Sequence, residues 1–214
     1  IGGVVAVLAV VIGAAASVAL VRMPFRGSGL VQSALFSPIV VPKMAFGFAL
    51  FMLLARVGLP IGRWGVVAAH TVATVPFVVV LLLSAALVRA DRTLHYAAVD
   101  LGARPLRAFL LSTLPQIAPA MLISGVFAFL VSFNEIDLSI FLLSTEQQTL
   151  PVWMFGYLNN YQDPTPAALS TLMTLLSVVV VGLGALALHL VQRRRGQLVP
   201  DVAPTATGGG ALLG

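Results

Sequence analysis

The residues with chemistry to offer are few and lie in three places. Asn134, Glu135 and Asp137 interrupt an apolar stretch, Lys43 and His70 each stand alone in other apolar stretches, and Arg89–Pro115 is polar and patterned. A carboxylate at membrane depth costs roughly 2.5–3.5 kcal/mol on insertion scales, so it faces protein or water. Glu135 and Asp137 therefore read in two compatible ways. One is a helix break near the outer interface, with Asn134 or Asp137 capping the next helical segment; the other is an acidic lining for a cationic solute. Lys43, early in its stretch, reads as a side chain reaching back to the cytoplasmic interface about one turn away, or else as a charge lining the same path. The first reading puts it at the opposite end of the membrane from the acidic pair. His70 reads as hydrogen-bonded between helices rather than as a ligand. Covalent and metal chemistry have no candidates. The chain has no cysteine, hence no disulfide and no thiolate. It has no G-x-x-x-x-G-K-[ST] phosphate loop and no acidic-and-histidine cluster of metal-ligand spacing. We expect no catalytic residue, no metal site and no cofactor of its own.

The elements that must hold these residues are membrane helices. Of 214 residues, 59% are hydrophobic and 9% charged, against about 25% charged in soluble domains. Five blocks meet the ~20 apolar residues a spanning helix needs and predict five spanning helices: Ile1–Val21, Pro38–Leu59, Trp64–Val88, Ile117–Leu143 and Ala167–Val191. None has the period-2 alternation of a barrel strand. Ala14-Ala15-Ala16 could mimic a signal-peptide cleavage site, but a signal peptide carries its positive charges before the apolar stretch, and here Arg22 and Arg26 follow it. The fold class is all-α, a polytopic helix bundle over residues 1–192, with a loop at 89–115 and a Gly-, Pro- and Ala-rich tail at 193–214 that is expected to be disordered.

The net charge of +5 sits between the apolar blocks, so it sets topology rather than binding nucleic acid. Arg22, Arg26, Arg89, Arg92, Arg104, Arg107 and Arg193–Arg195 fall on one side if the helices alternate. Arg56 and Arg63 fall on the other, and Ser144–Pro166 carries no Lys or Arg. By the positive-inside rule the loop at 89–115 and the C-terminus face the cytoplasm, and Ile1 faces outward. A longer protein with a cytoplasmic N-terminus would have a sixth helix upstream.

The loop is not composed like a linker. Asp91 suits an N-cap. Leu94, Ala97, Ala98 and Leu101 come next, on one face of a short helix. Gly102 sits where a left-handed C-terminal cap is wanted. Pro105 suits the first position of a second helix, with Leu106, Phe109, Leu110 and Thr113 along one face before Leu114-Pro115 ends it. Two short amphipathic helices joined at a glycine suit a docking element between two spans; a pair lying on lipid is the alternative.

Here the sequence resembles the permease subunits of ATP-binding-cassette (ABC) importers. Their cytoplasmic loop reads Glu-Ala-Ala, three residues, Gly, nine residues, a hydrophobic residue, any residue, Leu-Pro. This chain has Tyr96-Ala97-Ala98, Gly102 and Leu114-Pro115 at those offsets. Tyr96 replaces the acid and Ser112 the hydrophobic residue, which removes any salt bridge from Tyr96 to a partner but leaves packing available. "RMPFRG", "SPIVVP", "AHTVATVPFVV", "FAFLVSFNEIDLSIFL" and "TLPVWMFGYL" are similar in order and spacing to the spermidine/putrescine permeases, the second permease subunit in particular. The resemblance runs from Ile1 to about Gln192.

The resemblance implies a type I importer permease in a bacterial inner membrane. Its coupling residues would be Leu94, Tyr96, Ala97, Ala98, Asp100, Leu101, Gly102, Leu114 and Pro115, and its solute path would include Asn134, Glu135 and Asp137. The implied partners are ATPase subunits that bind the ATP, a second permease subunit, an extracytoplasmic substrate-binding protein and lipid. The implied solute is a polyamine or similar small organic cation, with an anionic or neutral solute as alternative. An ion-driven secondary transporter is a further class, but it often shows inverted repeats and midplane ion sites, and no repeat is visible here. A structural membrane subunit would leave Glu135 and Asp137 unexplained.

The charge asymmetry is testable because the chain has no native cysteine. With single cysteines at Gln147 and Gln197, an impermeant maleimide outside the cell should label position 147 and spare 197. Labelling of 197 alone would reverse the topology.

Overall fold

The computed structural model describes residues 1–22, 26–58, 61–84, 91–144, 147–161 and 163–196. All regular structure among them is helical. In order they are α1 (Gly2–Arg22), α2 (Ser28–Val40), α3 (Lys43–Val57), α4 (Arg63–Leu82), α5 (Arg92–Asp100) and α6 (Pro105–Ala108). A π-helical turn (Phe109–Thr113) leads into α7 (Leu114–Phe133), followed by α8 (Ser139–Leu142), α9 (Leu150–Asn160) and α10 (Thr165–Gly196). Among the described residues four single helices are long and apolar enough to cross a membrane, Gly2–Val21, Arg63–Leu82, Pro105–Phe133 and Thr165–Arg193, or five spans if the bent pair α2–α3 counts as one.

The core lies where α1, α4 and α7 meet. Ala9 and Ala14 from α1, Val75, Val78, Val79 and Leu82 from α4, and Ile117 and Ala128 from α7 form one buried cluster. Small residues set the spacing. A Cβ on Gly13 would lie 2.6 Å from a Val78 methyl carbon, so α1 and α4 approach as closely as they do only because position 13 has no side chain. α4 is buried on most sides, whereas α2 buries no side chain and α10 little beyond Pro166 and Met173. The exposed Leu and Val side chains of α10 suit lipid or a neighbouring helix, since lipid tails exert no penalty on them.

The block Pro38–Leu59 is not one straight span. α2 and α3 meet at 109°. Pro42 has no N–H to continue the helical ladder, and it forces Val41 into an extended backbone, φ −76° and ψ 131°. Thirteen residues of α2 rise about 20 Å, too little alone to cross ~30 Å of hydrocarbon.

The block Ile117–Leu143 is also redrawn. Leu114-Pro115 does not end the second loop helix, because α6, the π turn and α7 run on without a break from Pro105 to Phe133. Pro115 is tolerated in the first turn of α7, directly after a turn whose Leu114 N–H bonds to Phe109 O, one residue wider than in an α-helix. The helix then stops at Phe133. Neither Asn134 nor Asp137 caps the next helix: Asn134 is the C-cap of α7, its Nδ2 donating to Leu130 O at 2.9 Å, and α8 has no side-chain cap.

Two boundaries differ further. Ser144–Pro166 contains α9, too short to span, with a row of aromatic rings at Trp153, Tyr157 and Tyr161. The last helix continues past its span to Gly196, so the expected tail from 193 starts as helix. The remainder of that tail, residues 197–214, lies outside the described residues, as do 85–88 of the third block and 89–90 of the loop.

Filling the α1–α4 contact should be costly. Gly13→Val overpacks it by about 1–3 kcal/mol and should lower the thermal unfolding midpoint in detergent, while Gly182→Val, with open space around its Cβ, should leave it unchanged.

Candidate functional site

The polar residues collect in two places. The first is the loop before α7. Asp91 caps α5 as its residue type predicts: its Oδ1 accepts from Thr93 N at 2.8 Å and from the Thr93 hydroxyl at 2.7 Å. Those bonds, the hydroxyl's first, hold the Asp91 carboxyl below its usual range. The cap therefore contributes fully above the ordinary carboxylate pKa and is lost only as pH falls through the lowered value. At the other end Gly102 N donates to Val99 O at 2.8 Å and Ala103 N to Ala98 O at 3.0 Å, the paired closure of a Schellman motif. This requires a left-handed residue, and Gly102 has φ +88°.

Of the residues assigned to this loop, Leu94, Tyr96, Ala97, Asp100 and Leu101 are exposed and Ala98 is half-buried. Leu101 is 89% exposed and Leu106, just beyond the bend, 70%. Leu114 points the other way, against the bundle core, and Pro115 is exposed beside it. The loop thus offers an apolar surface from α5 and the bend, with Leu114 as its root in the membrane.

One contact here has no signal in sequence. Gln116, on the first turn of α7, accepts from the Asp91 backbone N–H at 2.9 Å and donates to Ser112 O at 2.8 Å. It ties the start of α5 to the span 25 residues later.

The second place is the break after α7. Lys43 Nζ donates to Glu135 Oε2 at 2.7 Å, the one ion pair among the described residues. Lys43 is therefore not at the opposite end of the membrane from the acidic pair. The turn at Val41-Pro42 makes it the first residue of a new helix that crosses the break. Gly47, one turn further along α3, permits the crossing: a Cβ there would lie 3.1 Å from Asp137 O and 3.2 Å from Leu138 Cα. His70 of α4 is buried, with Nδ1 2.9 Å from Ser132 Oγ and Nε2 2.9 Å from Ser139 Oγ. It joins α7 to α8 across the break, as its reading between helices anticipates. Ser139 Oγ also donates to Glu135 O at 3.3 Å. Glu135 is buried; Asp137 is half-buried, Asn134 exposed. Four elements thus converge on a short non-helical segment with a carboxylate at its centre.

Beside this network, a cleft of about 340 Å³ opens between Ile1, Arg63, Ser132, Phe133, Gln147 and Pro151. The first residues of α1 and α4 thus lie with the last of α7 at one end of the bundle.

Proteins of known kind are similar to this chain in sequence. The model of a family described as "Binding-protein-dependent transport system inner membrane component" matches residues 9–196. The chain is 32% identical over 204 residues to the Putrescine transport system permease protein PotI of Escherichia coli K12, covering 92% of this chain and 71% of that protein. It is 30% identical over 181 residues to the Spermidine/putrescine transport system permease protein PotC of Haemophilus influenzae, covering 85% and 70%. It is also 32% identical over 197 residues to the Molybdenum transport system permease protein ModB of Mycobacterium bovis, covering 84% and 73%.

Proposed function

This chain belongs to the binding-protein-dependent transport system inner membrane components, the permease subunits of ABC importers, and we propose that within this family it moves a polyamine or a similar small organic cation. It is a multi-pass membrane protein with the type I permease fold, similar in sequence to spermidine and putrescine permeases. The observation that carries the solute reading is a buried carboxylate, Glu135, at a non-helical break in an apolar bundle, with Asp137 two residues on and Asn134 beside it. Irregular backbone at membrane depth is tolerated where it is buried in protein or lines a water-filled cavity. Two carboxylates there attract a multivalent amine, and a low local dielectric strengthens the attraction.

A second reading has its own support. Lys43 neutralises Glu135, Arg63 lines the neighbouring cleft, and a relative described as a molybdenum permease is as similar as the putrescine one. The molybdenum relative matches less of this chain than the putrescine one, 84% against 92%, so the two charges carry most of the weight for an anionic or neutral small solute.

In either case the chain forms half of the path and separate subunits supply the energy. α5 and the bend at Gly102 form the coupling element, facing the cytoplasm. Leu94, Tyr96, Ala97, Asp100 and Leu101 offer its exposed surface to an ATPase subunit, while Leu114 roots it in the core. A second permease subunit completes the path and an extracytoplasmic binding protein loads it. The C-terminal end of α10 lies on the cytoplasmic side.

Two measurements test these assignments. Putrescine uptake by Glu135→Gln/Asp137→Asn, at matched protein level, should fall at least about tenfold, equivalent to losing roughly 1.4 kcal/mol of attraction. Wild-type uptake by the double variant would make both carboxylates structural. Gly102→Val forces a β-branched residue into a left-handed backbone, a local cost of about 1–2 kcal/mol. The reconstituted transporter should keep its fold but lose solute-stimulated ATP hydrolysis; unchanged stimulation would remove the docking assignment.

A further inference from the structure

The two halves of the ion pair are unequally held. The Glu135 side chain is 5% exposed and the Lys43 side chain 48%. Glu135 sits on a backbone segment fixed from several sides: Ser139 Oγ bonds to its carbonyl, His70 holds Ser139 to Ser132, and α3 presses against Asp137 and Leu138 through Gly47. Lys43 is the first residue of its helix, and its ammonium reaches the carboxylate on a flexible four-carbon stem. The carboxylate is the fixed member and the ammonium the movable one. The half-exposed Lys43 side chain covers the Glu135 carboxylate from outside. A second carboxylate, Asp137, has no cation within ion-pair distance among the described residues.

We propose that the Lys43 ammonium is an exchangeable counter-ion. It neutralises Glu135 when the permease is empty, and an ammonium group of the solute takes its place during passage. This rests on the reading of the chain as an importer of small organic cations. It assigns to Lys43 the part of an internal competitor, which sets how tightly Glu135 holds an amine and returns to expel it. An unpaired buried carboxylate is thereby avoided at every stage, and the solute ammonium enters a site already shaped for one. An internal competitor weakens the apparent affinity by the fraction of time it leaves the site free. A permanent structural pair makes no such contribution.

The test is equilibrium binding of radiolabelled putrescine to the assembled permease–ATPase complex without its binding protein, alongside putrescine transport by the complete system. If Lys43 occupies Glu135 about nine-tenths of the time, Lys43→Met should bind putrescine about tenfold more tightly and transport it more slowly, because release is no longer assisted. Lys43→Arg keeps the ion pair and strengthens it through a bidentate guanidinium, so it should bind putrescine several-fold more weakly. In a Glu135→Gln background, Lys43→Met should change nothing further. Lys43→Arg settles the matter if the methionine variant fails to assemble, since it conserves the structural contact. Wild-type putrescine affinity in an assembled Lys43→Arg complex would overturn the exchange and leave the cation reading standing. Absence of putrescine and spermidine binding and transport by the wild-type complex would remove the cation reading and the exchange with it.

Discussion

A carboxylate buried in an apolar bundle has to be neutralised from within the protein, and much of this structure depends on how Glu135 is neutralised. Its partner Lys43 lies 92 residues away in sequence. To bring the ammonium within 2.7 Å, the chain must turn through 109° at Pro42, and α3 must cross the break after α7 at a glycine. The break itself is held open by side chains rather than by helix: His70 spans it with both ring nitrogens, and Asn134 closes the end of α7. In lipid an uncompensated ion has no solvent to fall back on.

What sequence reveals here divides along a physical line. Local rules are legible in the loop before α7, though they misplace a cap at Asn134 or Asp137, where the next helix has no side-chain cap. The cap at Asp91, the left-handed bend at Gly102 and the helix start at Pro105 each depend on a few neighbouring residues, and each is where its residue type places it. The long apolar blocks are legible by length alone, because hydrocarbon thickness dictates it. Features that depend on partners distant in the chain are not. The bend at Pro42 has a local cause, but its direction, and hence the meeting of Lys43 with Glu135, is set by packing. The π turn leaves no mark in an apolar pattern, so Leu114-Pro115 reads as a helix end. α9 is too short for the span criterion and is hidden in a loop. Gln116 looks like an ordinary polar residue at a membrane boundary.

The bundle is unevenly finished. α1, α4 and α7 are packed at small residues and share a core, while α2 and α10 leave most of their side chains exposed. A subunit whose core is complete on one side and open on the other holds its own shape there and leaves the other side to lipid or to neighbouring subunits. The polar network lies against the finished side, through His70 of α4 and Ser132 of α7, and it is joined to the less buried part through Lys43 and the close approach of Gly47 on α3.

The tie between Asp91 and Gln116 changes what the loop is as a mechanical object. A helix attached only through the chain at its far end is a pendulum: a load on its face swings it and leaves its anchorage unmoved. α5 is attached twice, through the bend at Gly102 into α6 and through Gln116 to the first turn of α7. Two separated attachments share a lateral load between the bend and the base of α7, so α5 is held against that span instead of hanging from it.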